Sequence, residues 1–359
     1  MNSIVRQDCE NALAGKSDLL KALRNETLLV TGGTGFFGVR LAEMIACLND
    51  LHGFGAKLIL MARRPNLLYA KAPHLAKRVD ITVLAQDIRT LIELPREATF
   101  VIHAAGSPDS RLHASDPLQT IEIIANGANA LFTAATRLPT LRKILLVSSG
   151  LIYGKQPWEL KGIPESFMGS VDCSAAISAY PEAKRLAETI AAAYRSQHRL
   201  PIVTARPFAF IGPYQLMDRP WAVNNFIRDG LRGGPIRILG DGASVRSYMY
   251  PGDMAFWLLR ILVDGVTGRS YNLGSPESIS LKELAEKIAA CFPDPIRIEC
   301  RFLTNEVARR SRLVPDISLA GQELGLSITV DLATAIRRTI LWNQSAKAPV
   351  ENDLIDDRV

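Results

Sequence analysis

Short apolar runs recur along the first two hundred positions: "TLLV" at 27–30, "KLILM" at 57–61, "ITVLAQD" at 81–87, "TFVIHAA" at 99–105, "KILLVSS" at 143–149 and "PIVTARP" at 201–207. Between several of them lie longer stretches with helical spacing of apolar residues, at 37–49, 118–137 and 178–198. The short runs read as strands and the longer ones as helices. Their alternation predicts an α/β fold: a doubly wound parallel sheet with helices on both faces, joined by right-handed crossovers.

After Pro207 the pattern changes to loop-rich segments with helices expected at 252–263, 280–291 and 331–343. This divides the chain into a dinucleotide-binding domain over 26–207 and a smaller α+β substrate lobe over 208–345, part of which, about 245–263, returns to the first domain. Residues 1–25 read as an extension carrying one amphipathic helix over 4–24. The polar end, 346–359, reads as a flexible tail.

A length of 359 residues exceeds what one core usually organises, which agrees with two lobes. Hydrophobic residues at 48% and charged residues at 22% are those of an ordinary folded protein. The net charge of +6 is dispersed rather than gathered in blocks, which points to small anionic ligands and away from nucleic acid. Five cysteines show no C-x-x-C pair, so neither a metal site nor a disulfide framework is expected. The N-terminus lacks the apolar core of a signal peptide, and no apolar run nears the ~18 residues of a membrane span. The expected setting is the cytoplasm.

The first motif is "LLVTGGTGFFG", in which Gly33, Gly35 and Gly38 form G-x-G-x-x-G between a strand and a helix, with Gly32 just ahead. Glycine there lets the chain turn sharply and approach a pyrophosphate, which the helix N-terminus then attracts. The second strand ends in Ala62-Arg63-Arg64, with no carboxylate to bind a ribose 2′-hydroxyl. Arg63 suits a 2′-phosphate, so NADP is favoured over NAD. In "SAYPEAKRLAE", Tyr180 and Lys184 are four residues apart on one helix face. An ammonium near a phenol favours its ionised form and makes it an acid or base for a carbinol.

Taken in order, "TGGTGFFG", "QDI", "VIHAAG", "VSSGLIYG", "YPEAK", "RPFAFIGPY", "GDGASVRSYMYPGDM", "YNLGS" and "VPDISLAGQELGL" resemble the extended short-chain dehydrogenase/reductases, in particular the nucleotide-sugar epimerase/dehydratase family, from about residue 26 to 343. The resemblance implies Tyr180 as catalytic acid/base, Lys184 as holder of the nicotinamide ribose, and Ser149 as the hydroxyl that bonds the reacting sugar oxygen. It places the cofactor against Gly32, Gly35, Phe36, Phe37, Gly38, Arg63, Ala104, Ala105 and Pro207, with Asp87 and Ile88 at the adenine. It places the substrate against Ser149, Tyr180, Ala209, Asn225 and Arg246, the arginine clamping the diphosphate. His103 is expected to be structural.

Departures from the family pattern narrow the chemistry. The 4,6-dehydratases carry Asp and Glu after the catalytic hydroxyl, and decarboxylating relatives keep the Glu; here Gly150 and Leu151 stand there and can move no proton. Ala209 and Ile124 each stand where members usually carry Asn. The expectation is an NAD(P)-dependent nucleotide-sugar 4-epimerase working through a transient keto-sugar in sugar-nucleotide or polysaccharide biosynthesis. Alternatives are an NADPH-dependent 4-ketoreductase, then a UDP-glucuronate-decarboxylase-like or 4,6-dehydratase-like enzyme, and last a non-catalytic cofactor-binding protein. Apolar residues on more than one face of 118–137 and 178–198, together with the resemblance, imply a homodimer through those helices.

Overall fold

The computed structural model describes residues 2–301 and 311–345. Seven parallel strands form one sheet: β1 Thr27–Thr31, β2 Lys57–Ala62, β3 Ile81–Ala85, β4 Phe100–His103, β5 Lys143–Val147, β6 Ile202–Pro207 and β7 Ser270–Leu273. Their order across the sheet is β3-β2-β1-β4-β5-β6-β7. The chain steps outward from β1 to β2 and then returns to the other side at β4, with Val30 in register with both Leu60 and Ile102. The direction of winding therefore reverses between β1 and β4, and the crevice beyond their C-terminal ends is where such sheets take ligands.

The helices used below are α1 Ser3–Leu13, α2 Phe36–His52, α3 Ser110–Ser115, α4 Gly127–Ala135, α5 Ala179–His198, α6 Ala222–Leu231 and α7 Pro251–Asp264. Every residue of β1 is buried, because both faces of the sheet are covered. Leu28 and Val30 point to a layer containing Leu41, Met44 and Leu48 of α2 and Met254, Trp257 and Leu258 of α7. Leu29, one position out of phase, points to Leu131 and Phe132 of α4 and Ala183 and Ala187 of α5. Alternate burial along a continuous apolar strand is the direct result of the two-residue period. A separate core forms the smaller lobe, around Ile211, Phe226, Ile227, Ile236, Leu284 and Ile336.

Two expected helices are interrupted. The one read over 4–24 is α1 followed, after a turn through Gly15 at φ +65°, by a 3-10 helix at Ser17–Leu23. The one read over 118–137 is three pieces: Pro117–Ile121, a π turn at Glu122–Asn126, and α4. The π turn holds one extra residue and redirects the side chains beyond it. It brings Ile124 against Gly106 and seats Gly127 over Ile88, whose Cγ2 lies 3.0 Å from where a Cβ at 127 would be. The tail expected at 346–359 lies outside the described residues. No described helix is long and apolar enough to cross a membrane.

Candidate active site

The glycine turn is shaped by what surrounds it. Gly32 has φ +70°, a conformation that side chains disfavour, and a Cβ there would stand 2.7 Å from the Ala104 carbonyl oxygen. A Cβ on Gly33 would stand 2.6 Å from Leu60 Cβ, and one on Gly38 would strike the Gly33 carbonyl. The turn is fixed by Gly33 N–H donating to Met61 O (3.0 Å) and Gly35 N–H donating to Gly32 O (2.9 Å). α2 starts after Gly35 with no side-chain cap, so the first helical N–H groups, those of Phe36, Phe37 and Gly38, face outward for an anion. A bare backbone cradle opening an uncapped helix fits a dinucleotide pyrophosphate. The Phe36 and Phe37 rings themselves pack on Phe210, with centroids 5.9 and 5.4 Å away, so they contribute backbone to the cradle and side chains to the core beneath it.

The residues expected at the adenine are partly committed to one another. Asp87 accepts from the Arg89 backbone N–H (2.9 Å) and guanidinium (2.8 Å), and this pairing, helped by Arg63, holds its carboxyl below the usual range. Arg63 is exposed just beyond β2. Ile88 is buried beneath Gly127. Ala105 N–H donates to Thr31 Oγ1 (3.2 Å), which also bonds His103 Nδ1 (2.8 Å). Burial pushes the His103 imidazole down to about 3, so it is a neutral member of the strand-end network. Pro207, at the end of β6, pairs in register with Leu273.

Beyond β5 the chain enters a 3-10 turn, Gly150–Tyr153, capped by Ser149, whose Oγ accepts from the Leu151 N–H (3.1 Å). The turn is anchored at its far end: Tyr153 O–H donates to Asn272 (2.8 Å) and accepts from Arg206 (2.8 Å), which is itself paired with Glu188 of α5 (2.7 Å). Ser149 thereby stands at the start of the turn beside Tyr180 of α5, whose phenol its hydroxyl influences. Lys184, one helical turn on, is buried and donates to the Val147 carbonyl at the end of β5 (2.8 Å). Ser148 is also buried, with no partner for its hydroxyl among the described residues.

The expected effect of Lys184 on the phenol is corrected here. Burial pushes Tyr180 up to about 12, opposed by the Ser149 hydroxyl, while burial pushes Lys184 down to about 8, opposed by Glu188. The ammonium is engaged by a backbone carbonyl and lies 5.9 Å from the phenol ring centroid, so desolvation outweighs charge–charge help for both groups. Gly106 borders both Lys184 and the π turn: a Cβ on it would be 3.4 Å from Ile124 Cγ1 and 3.9 Å from Lys184 Nζ.

The second lobe supplies the remaining residues. Arg246 donates to the Val245 and Ser311 carbonyls and to Ser311 Oγ, with no carboxylate partner among the described residues. Ala209 pairs with Tyr248 in a two-stranded contact, and Asn225 on α6 accepts from Arg228 (2.8 Å). Of the residues chosen from sequence, Ser149, Tyr180 and Lys184 stand together where β5 meets α5; Arg246 and Asn225 belong to other elements and bond their own neighbours.

Sequence reasoning passed over His113, Asp109 and Arg219. The His113 ring lies flat on the Tyr180 ring, centroids 4.2 Å apart and 13° between planes. No spacing rule links positions 113 and 180; only the packing of α3 against α5 joins them.

Comparison with known proteins follows the same outline. The model of the family described as "NAD dependent epimerase/dehydratase family" matches residues 28–274. UDP-glucuronic acid decarboxylase 3 of Arabidopsis thaliana is 29% identical over 313 residues, covering 86% of each chain. Among solved structures, the Bordetella bronchiseptica enzyme WbmF in complex with NAD+ has a TM-score of 0.70 at 23% identity, over 90% of this chain and 94% of that one. A mutant of UDP-glucuronic acid 4-epimerase from Bacillus cereus, in complex with UDP-4-deoxy-4-fluoro-glucuronic acid and NAD, has a TM-score of 0.75 at 22% identity, over 89% and 99%.

Proposed function

The chain belongs to the NAD dependent epimerase/dehydratase family, and from that premise we propose that it is a nucleotide-sugar 4-epimerase acting at one sugar carbon through a transient keto-sugar. A bound nicotinamide dinucleotide supplies the acceptor and donor of hydride. The residues of this chain handle the proton. Ser149 bonds the reacting oxygen, and Tyr180 takes the carbinol proton as the phenolate when the sugar is oxidised and, now protonated, returns it to the keto oxygen when the sugar is reduced. Burial alone pushes the phenol up to about 12, so its ionisation for the first step would be supported by the charge of the bound cofactor. Lys184 is set by Val147 to hold the cofactor ribose. Arg246, free of carboxylate partners among the described residues, clamps the diphosphate.

The observation that carries this reading is the pair Gly150 and Leu151. Neither offers an acid or base, and the space above Gly150 is filled by the Phe208 ring, whose carbons lie 2.9–3.0 Å from a Cβ built there. Water elimination needs a second proton carrier at this point, and none is present. The second reading is decarboxylation of a UDP-uronate, supported by the similarity to the Arabidopsis thaliana decarboxylase over 86% of the chain. The finer cofactor preference, NADP, rests on exposed Arg63 and the absence of an acid after β2. A homodimer through α5 and the helix–π turn–α4 segment, in a cytoplasmic setting, completes the proposal.

Incubation with a panel of UDP-, dTDP-, GDP- and CDP-sugars, with mass analysis of the products, tests it. An isobaric product with no net nicotinamide turnover is expected. Gain of two hydrogens identifies a ketoreductase, and loss of carbon dioxide establishes the decarboxylase reading instead. Tyr180→Phe should lower kcat at least a hundredfold while cofactor binding is retained.

A further inference from the structure

The segment between β4 and the π turn contains two residues that no motif selected, Asp109 and His113, and through them Arg219 of the smaller lobe is linked to the proposed acid/base. Asp109 is buried, caps α3 by accepting from the Arg111 N–H (2.9 Å), and accepts from Arg219 of the smaller lobe (2.5 Å). These hydrogen bonds hold its carboxyl well below the usual range against a burial that works the other way. One turn along α3, His113 is buried with Nε2 at 2.7 Å from the Ser107 carbonyl, which fixes that nitrogen as the donor and locks the ring plane. That plane is the one stacked on Tyr180.

We propose that His113 is a positioning residue for Tyr180, and that the Asp109–Arg219 pair is the anchor that ties it to the substrate lobe. The reasoning is steric and electrostatic. A flat ring 4.2 Å from the phenol excludes water from one face and limits rotation of the tyrosine about its Cβ. The groups facing His113 are Asp109 on its own turn, and Tyr180 and Lys184 on α5. Burial, with Lys184 acting in the same direction, keeps the imidazole neutral, so it acts as a dry, polarisable wall rather than as a second cation. Arg219 sits in the loop that precedes α6, so an ion pair with Asp109, which Asp109 shares with the Arg111 guanidinium, and one short helix join that loop to the phenol. The kinetic part rests on the reaction proposed above; the titration part does not.

The test is an ultraviolet difference titration of the Tyr180 phenol in the full chain, read against Tyr180→Phe, for His113→Ala, His113→Phe and Arg219→Met. His113→Ala should move the midpoint down from about 12 toward the ordinary value of 10, and His113→Phe, which keeps a ring, should hold it near the wild-type value. Arg219→Met should shift it in the same direction as His113→Ala, by less. Once the reaction is identified, kcat should fall about a hundredfold in His113→Ala with KM for the cofactor unchanged, and recover in His113→Phe. An unshifted phenol in His113→Ala overturns the proposal, as does a His113→Phe enzyme as impaired as His113→Ala. An Arg219→Met phenol identical to wild type overturns the anchoring role. Failure of every nucleotide sugar to react, with the phenol shifts as stated, tells against the reaction and leaves the positioning role established.

Discussion

Phe208 closes the space above Gly150: a Cβ built on the glycine falls 2.9 Å from Cδ2 and Cε2 of that ring. The position that carries a carboxylate in the dehydratases is thus filled by an aromatic side chain from the residue that follows β6. Gly150→Asp is expected to destabilise the protein by about 1–3 kcal/mol through overpacking, while Leu151→Glu, at a half-exposed position, costs little. Thermal unfolding measures both. Phe208→Ala combined with Gly150→Asp should recover part of the loss, and an additive double variant shows that the contact is not the cause.

Lys184 should titrate near pH 8 in the cofactor-free protein. Its folded value is depressed, so the folded state binds fewer protons than the unfolded chain between about 8 and 10.5. Its contribution to stability therefore rises with pH through that window and falls as pH drops through 8. Isotope-edited NMR of the lysines, with Lys184→Met as the assignment control, reads the titration.

Gly38→Ala would ordinarily gain helix stability of about 0.5–1 kcal/mol. Here the added methyl strikes the Gly33 carbonyl, so a net loss of about 1–3 kcal/mol is expected together with weakened binding of the dinucleotide. Unfolding scans with and without NAD and NADP separate the two effects. Gly321→Ala is the control, because a Cβ there, in the helix Ser318–Leu324, meets only the Leu326 carbonyl oxygen at an ordinary 3.5 Å.

Asp8 on α1 is buried between Arg338, 2.8 Å away, and Arg40, 3.6 Å away. Arg40 is fully buried, and its side-chain nitrogens have no hydrogen-bond partner among the described residues. Asp8→Ala leaves that cation uncompensated and should cost about 3–5 kcal/mol, read as a drop in Tm. The N-terminal extension is in this way part of the folded core, joining α1 to α2 and to the last described helix.

Apolar spacing and glycine placement were enough to read the order of strands and helices, the doubly wound sheet and the tight glycine turn before α2, because these depend on residue type at short range: periods of 2 and 3.6, and positions where a side chain cannot fit. The pair Tyr180 and Lys184 was legible for the same reason, as i and i+4 on one helix. What their neighbours do to them was not. The engagement of Lys184 by Val147, the upward push on Tyr180, the π turn that brings in Ile124, the ring of Phe208 over Gly150 and the ring of His113 on Tyr180 all join residues far apart in the chain. Desolvation and van der Waals exclusion depend on what surrounds a group in space, and only the tertiary structure supplies that.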